Sequence, residues 1–313
     1  MNAPFDLQRA AAPALMTSAD YRESLRKARP VVYVDGRRVE SVADEPAFNP
    51  GVQALGVSYD YAHDPALSPL MLANATASGR TVPRMLHVNE SAGDLLNKLE
   101  AVRVLCQETG CAQRYLAGDA LNALAQVCAR IDDARGTTEH RARFAAYLDH
   151  VQANDLAIGI AMTDAKGDRS KRPHQQGNVD AYVHVVERDG KGVVISGTKA
   201  IVTSAPYVHE FLVMPCRNMG EPDADFAICC AVPIDVPGIT IIARHGMTRN
   251  SCMYGAPVTI AFVPEMTMPR ASRSTTCTYA SGLACSCGRR ERSPLASVIA
   301  MPSARSLRWT CSR

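Results

Sequence analysis

Residues 151–169, VQANDLAIGIAMTDAKGDR, mark the point at which the periodicity of the chain changes. Upstream, from about residue 18 to 150, apolar residues recur at helical spacing. Downstream, from about residue 155, short runs rich in β-branched residues alternate with turn residues, a pattern typical of strands. The quoted stretch joins an apolar run, LAIGIAM, to six charged residues within 164–172. On composition alone this charged segment is either a solvated surface turn or a turn that holds a charged ligand.

Three helices are predicted just before this junction. They cover about residues 91–107, 115–132 and 137–155, and Ser91 is the expected N-cap of the first. The first helix places Leu95, Leu96, Leu99, Val102, Val104 and Leu105 near helical spacing, and the second has the stripe Leu121, Leu124, Val127 and Ile131. The charged pairs Asp132–Asp133 and Glu139–His140 are expected on solvated helix faces.

Strand-like sequence lies on both sides of the helical half. RPVVYVDGRRVES (29–41) contains an Asp-Gly turn and predicts a short hairpin at the edge of the helical domain. Six further runs predict a mainly antiparallel β domain over about 155–245, and they lie at 156–162, 180–188, 192–205, 208–216, 225–234 and 238–244. No strand is followed by a G-x-G-x-x-G or a Walker loop, which argues against a Rossmann or P-loop enzyme.

Composition narrows the possible partners and the compartment. The 313 residues are 47% hydrophobic and 21% charged, with no apolar run of about 18 residues, so no membrane span is predicted. No basic segment followed by an apolar block opens the chain, which predicts a cytoplasmic protein whose eleven cysteines stay reduced. The cysteine spacing fits no zinc site, so no metal ligand is assigned.

Charge is divided unevenly along the chain. Residues 266–313 carry eight Arg, no Lys and one acidic residue, a net charge of +7, whereas the whole chain carries +3. The first 265 residues therefore carry −4, which gives little support to nucleic-acid binding.

The last 48 residues also differ in composition from the rest of the chain. They hold nine Ser and four Cys beside the eight Arg, and Lys is absent after Lys199. GC-rich DNA read out of frame yields such a composition. The hypothesis is that the reading frame departs from the ancestral one after about Arg244, and the alternative is a disordered basic tail.

Three segments together resemble a known flavoprotein family. They begin at Asp20, Val151 and Gly192 and read DYRESLRKARPVVYVDGRRVESVADEPAFNPGV, VQANDLAIGIAMTDAKGDR and GVVISGTKAIVTSA. The family unites the oxygenase component of 4-hydroxyphenylacetate 3-hydroxylase with 4-hydroxybutyryl-CoA dehydratase. The resemblance covers about residues 18–243, and its motifs have the order and spacing that the family shows.

The family resemblance implies an α+β, acyl-CoA-dehydrogenase-like fold. A flexible N-terminus (1–17) would precede an N-terminal helical domain (18–154) and a middle antiparallel β domain (155–245) that binds the flavin. The C-terminal helical bundle, which also builds a homotetramer, has no recognisable counterpart. An aberrant tail, disordered or frame-shifted, stands in its place at 246–313.

The family's FAD site maps onto two segments of this sequence. The first, the flavin loop, is residues 162–169, and the second, the flavin segment, is residues 201–203. Backbone N–H groups and hydroxyls can pair with the polar edge of the flavin ring, and basic side chains can neutralise the reduced ring or the pyrophosphate. The implied FAD-binding residues are Met162, Thr163, Asp164, Lys166, Gly167, Asp168, Arg169, Ile201, Val202 and Thr203.

The dehydratase branch of the family would also require a [4Fe–4S] cluster. Two of its ligands are Cys residues four apart on an N-terminal helix. Cys111 aligns with the first, but Tyr115 stands in place of the second. A phenol is a poor substitute for a thiolate ligand, so a cluster is not expected here.

The hydroxylase branch uses reduced FAD from a separate flavin reductase to hydroxylate a phenol. Its substrate-orienting His corresponds here to Ile160, whereas Cys111, Arg114 and Tyr115 lie in the family's other substrate-contact region. The favoured function is therefore an FADH2-using monooxygenase of a phenolic substrate. The alternatives are a dehydratase and isomerase of a short hydroxyacyl-CoA, and an inactive truncated member of the family.

The remaining candidates favour structural roles. Cys229 and Cys230 should face opposite sides of one strand, and His184 and His209 are expected to be satisfied strand histidines. No Ser/His/Asp or Cys/His arrangement can be assembled, so no catalytic residue is assigned.

Overall fold

The computed structural model describes residues 15–110, 114–164, 167–168, 170–188, 192–217 and 219–243, and the backbone of four strands farther along the chain. Six helices occur in this part of the chain. They are α1 (Ser18–Lys27), α2 (Asn49–Asp60), α3 (Ser68–Met71), α4 (Ala92–Thr109), α5 (Tyr115–Arg135) and α6 (Glu139–Ala153). None of them is long and apolar enough to cross a membrane.

Local sequence explains where the helices begin and end. Ser91 accepts a hydrogen bond from the Asp94 N–H, and the Asp94 carboxylate accepts from the Ser91 N–H, so the predicted N-cap of α4 is a capping box. Gly110 and Gly136 end α4 and α5 in the left-handed conformation, which costs glycine little. The three predicted helices are therefore confirmed close to their expected limits.

The main sheet is built from both halves of the chain. Its strand order is β12-β7-β11-β10-β1-β2, with β6 paired to β7. The strands are β1 (Val31–Val34), β2 (Arg37–Arg38), β6 (His184–Arg188), β7 (Gly192–Ala200), β10 (Ile239–Ala243), β11 (Val258–Phe262) and β12 (Thr267–Pro269). The predicted hairpin is confirmed as β1–β2, where Asp35 and Gly36 both have positive φ as a type I′ turn requires.

The hairpin pairs across the proposed domain boundary. Strand β1 runs parallel to β10, with Val31 opposite Thr240, so residues assigned to the helical domain extend the β sheet. Strand β11 lies between β7 and β10, beyond residue 245 where the β domain was expected to end. The division of the chain into domains stays a prediction, and residues 1–14 and most of 246–313 lie outside the described residues.

A second, three-stranded sheet leads directly to the flavin loop. It has the order β5-β8-β9, from β5 (Ile158–Ala161), β8 (Glu210–Val213) and β9 (Cys230–Pro233). One face packs on α5 and α6, and the other joins the core of the main sheet. Cys229 and Cys230 belong to these two different cores, as alternation predicted. Two short hairpins complete the strands, β3 (Leu72–Ala75) with β4 (Arg80–Pro83), and β13 (Cys277–Thr278) with β14 (Ala284–Cys285).

Helix α4 is where expected but buries only the C-terminal part of its apolar stripe. Leu95, Leu96 and Leu99 are 47%, 66% and 56% exposed, whereas Lys98 on the same helix is buried. The buried face of α4 instead places Ala101 and Leu105 against Met85 and its neighbours. Lys98 tolerates burial because its ammonium donates a hydrogen bond to the His87 carbonyl at 2.7 Å.

Two residues expected on solvated helix faces are buried instead. Asp132 is fully buried because its carboxylate accepts hydrogen bonds from the backbone N–H groups of His140 and Arg141 and from the Thr137 hydroxyl. His140 is also buried. The expectation was therefore wrong for these two residues. The Asp132 carboxylate accepts hydrogen bonds from N–H groups in the first turn of α6, which have no partner within the helix.

Candidate functional site

The two segments proposed to bind flavin lie side by side. The flavin loop leaves the end of β5, and the flavin segment leaves the end of β7. The Ala200 N–H donates to the Thr163 carbonyl at 2.9 Å, and Asp164 forms an antiparallel bridge with Lys199. Sheet pairing therefore brings together residues nearly 40 positions apart in the sequence.

A buried ion pair fixes the start of the flavin loop. The Lys199 ammonium lies 2.5 Å from Asp164 Oδ1 and 3.1 Å from the Met162 carbonyl oxygen. Both side chains are more than nine-tenths buried, so each compensates the desolvation of the other. The Asp164 carboxylate therefore binds Lys199 within the protein.

Cys216 completes this cluster from the segment that follows β8. Its thiol donates to Asp164 Oδ2 at 2.7 Å. Partial desolvation, together with the hydrogen bond to the Asp164 carboxylate, raises the pKa of Cys216, so the protonated thiol is favoured as the donor. The ends of β5, β7 and β8 are thus tied at one carboxylate.

The flavin segment has an unusual backbone and an exposed apolar side chain. Ile201 has φ of 55° and is 65% exposed, and Ser204 also has positive φ. A β-branched residue in the left-handed region is strained, and such strain is concentrated at functional sites. Met162 and Thr163 in the flavin loop are also exposed. The loop and the segment therefore each carry one exposed apolar side chain, Met162 and Ile201. This surface can accept a flat, apolar ring with polar edges.

Gly167 lies close to the ends of two side chains. A Cβ added at residue 167 would lie 2.3 Å from the Tyr182 hydroxyl oxygen and 2.8 Å from Gln176 Oε1. Its backbone position is therefore set by neighbouring side chains, in addition to any close approach to a ligand. Lys166 and Arg169, the two basic residues of the loop, lie outside the described residues.

The proposed substrate residues occupy different environments. Tyr115 begins α5 and is 38% exposed, whereas Arg114 is buried. The Arg114 guanidinium lies 2.6 Å from Asp155 Oδ1 and 4.3 Å from the centre of the Tyr59 ring. These contacts favour a structural role for Arg114, and its role in substrate binding stays a prediction. Cys111 lies outside the described residues.

His184 and His209 have hydrogen-bond partners within the protein, and His184 Nδ1 lies 2.7 Å from the Tyr182 carbonyl oxygen. His209 Nδ1 accepts from the Ala157 N–H at 2.8 Å, and its Nε2 lies 2.7 Å from the Ser24 hydroxyl. Desolvation, followed by the nearby Arg114 charge, lowers the pKa of His209 to about 3. Ile160, which the resemblance aligns with the hydroxylase histidine, is partly buried and packs against the core shared with α5 and α6.

Sequence reasoning missed four residues that shape the flavin loop, namely Lys199, Cys216, Gln176 and Tyr182. One signal was present, because β7 alternates strictly between buried and half-buried positions and Lys199 occupies a buried one. A lysine at an inward position requires an acidic partner. Within the described ranges, no group of three or more His, Cys, Asp or Glu side chains is arranged to hold a metal ion.

Comparison with known protein families identifies one match over most of the chain. A family model described as 4-hydroxyphenylacetate 3-hydroxylase N terminal matches residues 17–266. The 4-hydroxybutyryl-CoA dehydratase/vinylacetyl-CoA-Delta-isomerase of Clostridium aminobutyricum is 37% identical over 239 residues, which is 76% of this chain and 48% of that protein. The 4-hydroxyphenylacetate 3-monooxygenase oxygenase component of Geobacillus sp. (strain PA-9) is 24% identical, over 79% of this chain and 50% of its own length.

Solved structures resemble the fold in the same way. An oxygen-tolerant archaeal 4-hydroxybutyryl-CoA dehydratase from N. maritimus is 35% identical with a TM-score of 0.73, covering 80% of this chain and 52% of its own. A monooxygenase oxygenase component solved with FAD and 4-hydroxyphenylacetate is 21% identical with a TM-score of 0.68, covering 81% and 54%. The chain therefore spans about half the length of the relatives it matches, and its fold is acyl-CoA-dehydrogenase-like.

Proposed function

Because the chain belongs to the 4-hydroxyphenylacetate 3-hydroxylase N-terminal family, we propose that it is the flavin-binding part of an FAD-dependent oxidoreductase. One observation carries this proposal: the flavin loop and the flavin segment, far apart in sequence, meet through the Ala200–Thr163 hydrogen bond and the Asp164–Lys199 bridge. If the flavin loop were a solvated surface turn that matched the family motif by chance, contact with the second motif would not be expected.

The residues present suit an isoalloxazine ring. Met162 and Ile201 offer exposed apolar surface, and the hydroxyls of Thr163 and Thr203 can pair with polar ring atoms. Gly167, Asp168 and Val202 would line the same site. Lys166 and Arg169 would neutralise the pyrophosphate or the reduced ring. Asp164 holds the loop in place through Lys199. Bound FAD would supply the electron-transfer chemistry that protein side chains lack.

The favoured reaction is hydroxylation of a phenolic small molecule. In this reaction one oxygen atom of O2 enters the ring and the other leaves as water, while reduced FAD from a separate reductase becomes oxidised. Tyr115 is exposed at the start of α5, and its phenol group supports this branch because it stands where a cluster-binding enzyme needs a thiolate. Cys111 and Arg114 would complete the substrate region. The complete enzyme would be a homotetramer.

A second candidate is dehydration and isomerisation of a short hydroxyacyl-CoA. The observation that favours it is sequence identity, which is 37% and 35% with two dehydratases and 24% with the hydroxylase. That reaction would require an iron–sulfur cluster, and Tyr115 opposes this requirement.

The experiment is a titration of the purified chain with FAD, followed by iron analysis and an activity assay. We expect FAD to bind without iron, and the variants Arg169→Ala and Thr203→Ala to weaken binding. Unchanged affinity in both variants would show that the family's site does not transfer. Reduced FAD, O2 and 4-hydroxyphenylacetate then test hydroxylation, whereas stoichiometric iron would favour the dehydratase.

A further inference from the structure

The Gln176 side chain binds the backbone at the C-terminal end of the flavin loop. Gln176 Oε1 accepts from the Asp168 N–H at 3.1 Å, and its Nε2 donates to the Asp168 carbonyl at 2.7 Å. The same Nε2 donates to the Lys171 carbonyl at 3.1 Å. The carboxamide thus satisfies both polar groups of one residue, as a neighbouring strand would.

A second side chain fixes the loop one residue earlier. The Tyr182 hydroxyl occupies the space where a Cβ at residue 167 would lie. Tyr182 is itself buried and anchored to β7 through a parallel bridge to Thr198. Gly197, with φ of 132°, lets the Tyr182 backbone approach, since a Cβ there would lie 2.4 Å from the Tyr182 carbonyl oxygen. The strand that leads to the flavin segment therefore also supports the flavin loop.

We infer that Gln176 and Tyr182 are positioning residues that hold Gly167 and Asp168 of the flavin loop in place before the cofactor arrives. The inference rests on the proposed function, because it takes FAD as the ligand of the loop. A backbone fixed in advance at these two residues does not lose its conformational entropy at the moment of binding, so both positioning residues should raise affinity without touching the cofactor. The Lys199–Asp164 pair holds the start of the same loop.

The first test replaces Gln176 and compares it with its neighbour. Gln176→Glu keeps the acceptor for the Asp168 N–H but sets a carboxylate oxygen against two carbonyls, so FAD affinity should fall about tenfold or more. Gln175→Glu is the matched control, because Gln175 Oε1 only accepts from the Arg172 N–H and Glu retains that acceptor. Its affinity should stay within about twofold of the unchanged protein. Equal affinities of Gln176→Glu and the unchanged protein would overturn the inference.

The second test is a double-mutant cycle that a general loss of stability would not reproduce. Gly167→Ala should weaken FAD binding because its methyl group would collide with the Tyr182 hydroxyl. Tyr182→Phe removes that oxygen, so the double variant should bind FAD more tightly than Gly167→Ala alone. If the loss of FAD affinity in the double variant equalled the sum of the losses in the two single variants, the role of Tyr182 would be contradicted.

A measurement without FAD separates this inference from the proposed function. Trypsin should cut the chain after Lys171 faster in Gln176→Glu than in the unchanged protein or Gln175→Glu, with all three showing the same circular dichroism. Equal cutting rates would overturn the positioning role even if FAD binds. If Gln176→Glu is cut faster but the unchanged protein does not bind FAD, the positioning role of Gln176 is supported and FAD is ruled out as the ligand of the loop.

Discussion

At the scale of single residues, the buried ammonium of Lys199 links β7, which leads to the flavin segment, to the start of the flavin loop. Its ammonium satisfies Asp164 and the Met162 carbonyl, while Cys216 contacts the other carboxylate oxygen. Three strands end at this point, so the pair couples their geometry. A carboxylate left alone there would have neither water nor a cation to stabilise it.

The first prediction follows from that isolated carboxylate. Lys199→Met should lower the free energy of unfolding by about 3–5 kcal/mol, because Asp164 would remain buried without its cation. The double variant Lys199→Met, Asp164→Asn should recover part of this loss. Urea denaturation measures both, and Lys171→Met, at an exposed side chain of the same region, is the control. An equal effect at Lys171 would show that Lys199 acts through general charge alone.

The second prediction concerns His209 and pH. Its pKa is lowered from 6.5 to about 3 in the folded protein, mainly because the ring is desolvated. The unfolded chain then binds the proton more readily, so stability is complete above about pH 6.5 and is lost as pH falls toward 3. Between pH 6 and 5 this residue should account for a loss of about 1 kcal/mol.

Urea denaturation across this pH range tests the role of His209. His209→Gln should be less stable at pH 7 but should show a flatter dependence on pH than the unchanged protein. His63→Gln, at an exposed histidine, is the control for the substitution itself. Identical slopes in all three proteins would contradict the assignment.

At the scale of elements, α4, α5, α6 and the β1–β2 hairpin could be predicted from the sequence, whereas the β3–β4 hairpin, strand β11 and the buried face of α4 could not. Ser91, Gly110 and the helical spacing define α4 locally, and the Asp35–Gly36 turn defines the β1–β2 hairpin in the same way. The buried face of α4 depends instead on which elements pack against it, and these are distant in sequence. The contact of the flavin loop with the flavin segment likewise depends on the pairing of strand ends, for which no single stretch of sequence carries a signal.

Lys98 shows how packing selected the buried face of α4. Gly118 on α5 leaves room beside the Met85 carbonyl, and a Cβ there would lie 2.7 Å from that oxygen and 3.4 Å from the Lys98 ammonium. The long Lys98 side chain therefore passes over Gly118 to reach the His87 carbonyl. A short residue on α5 thus makes space for a charged residue on α4.

The third prediction compares two helical glycines. Gly118→Ala should destabilise the protein despite the better helix propensity of alanine, because the Met85 carbonyl is backbone and cannot move freely. Gly93→Ala in α4 meets only the Ser91 hydroxyl oxygen at 3.5 Å and should stabilise by up to about 1 kcal/mol. Thermal denaturation of both variants measures the difference. Stabilisation by both would show that the contact of α5 with residues 84–86 is looser than described.

At the scale of the whole molecule, the N-terminal segment and the β domain share one core. Tyr21 of α1 donates to the Tyr207 carbonyl at 2.5 Å, and Tyr59 of α2 donates to the Asp155 carbonyl at 3.0 Å. The two rings stack with their centres 4.9 Å apart. Together with the β1–β10 pairing, these contacts tie α1 and α2 to the segment that leads into β5.

The final prediction concerns the Arg-, Ser- and Cys-rich segment at the end of the family match. The match with the N-terminal family model runs to residue 266, and residues 266–313 hold eight Arg, nine Ser and four Cys. Strands β11, at 258–262, and β12, at 267–269, both pair in the main sheet, so the frame that encodes the sheet extends at least to residue 269. We therefore expect the nucleotide sequence downstream of codon 269 to encode, in another frame, a long segment with helical periodicity.

Sequencing the locus decides this, and a protein experiment follows from it. If a single-base change restores the helical segment, the corrected chain should bind FAD more tightly than the present one, because the resemblance assigns that segment to a helical bundle. It should also cover part of the apolar surface that Leu95, Leu96 and Leu99 expose on α4, which hydrogen exchange would detect. If every other frame is closed by early stop codons, the basic tail is genuine and the reading-frame hypothesis is wrong.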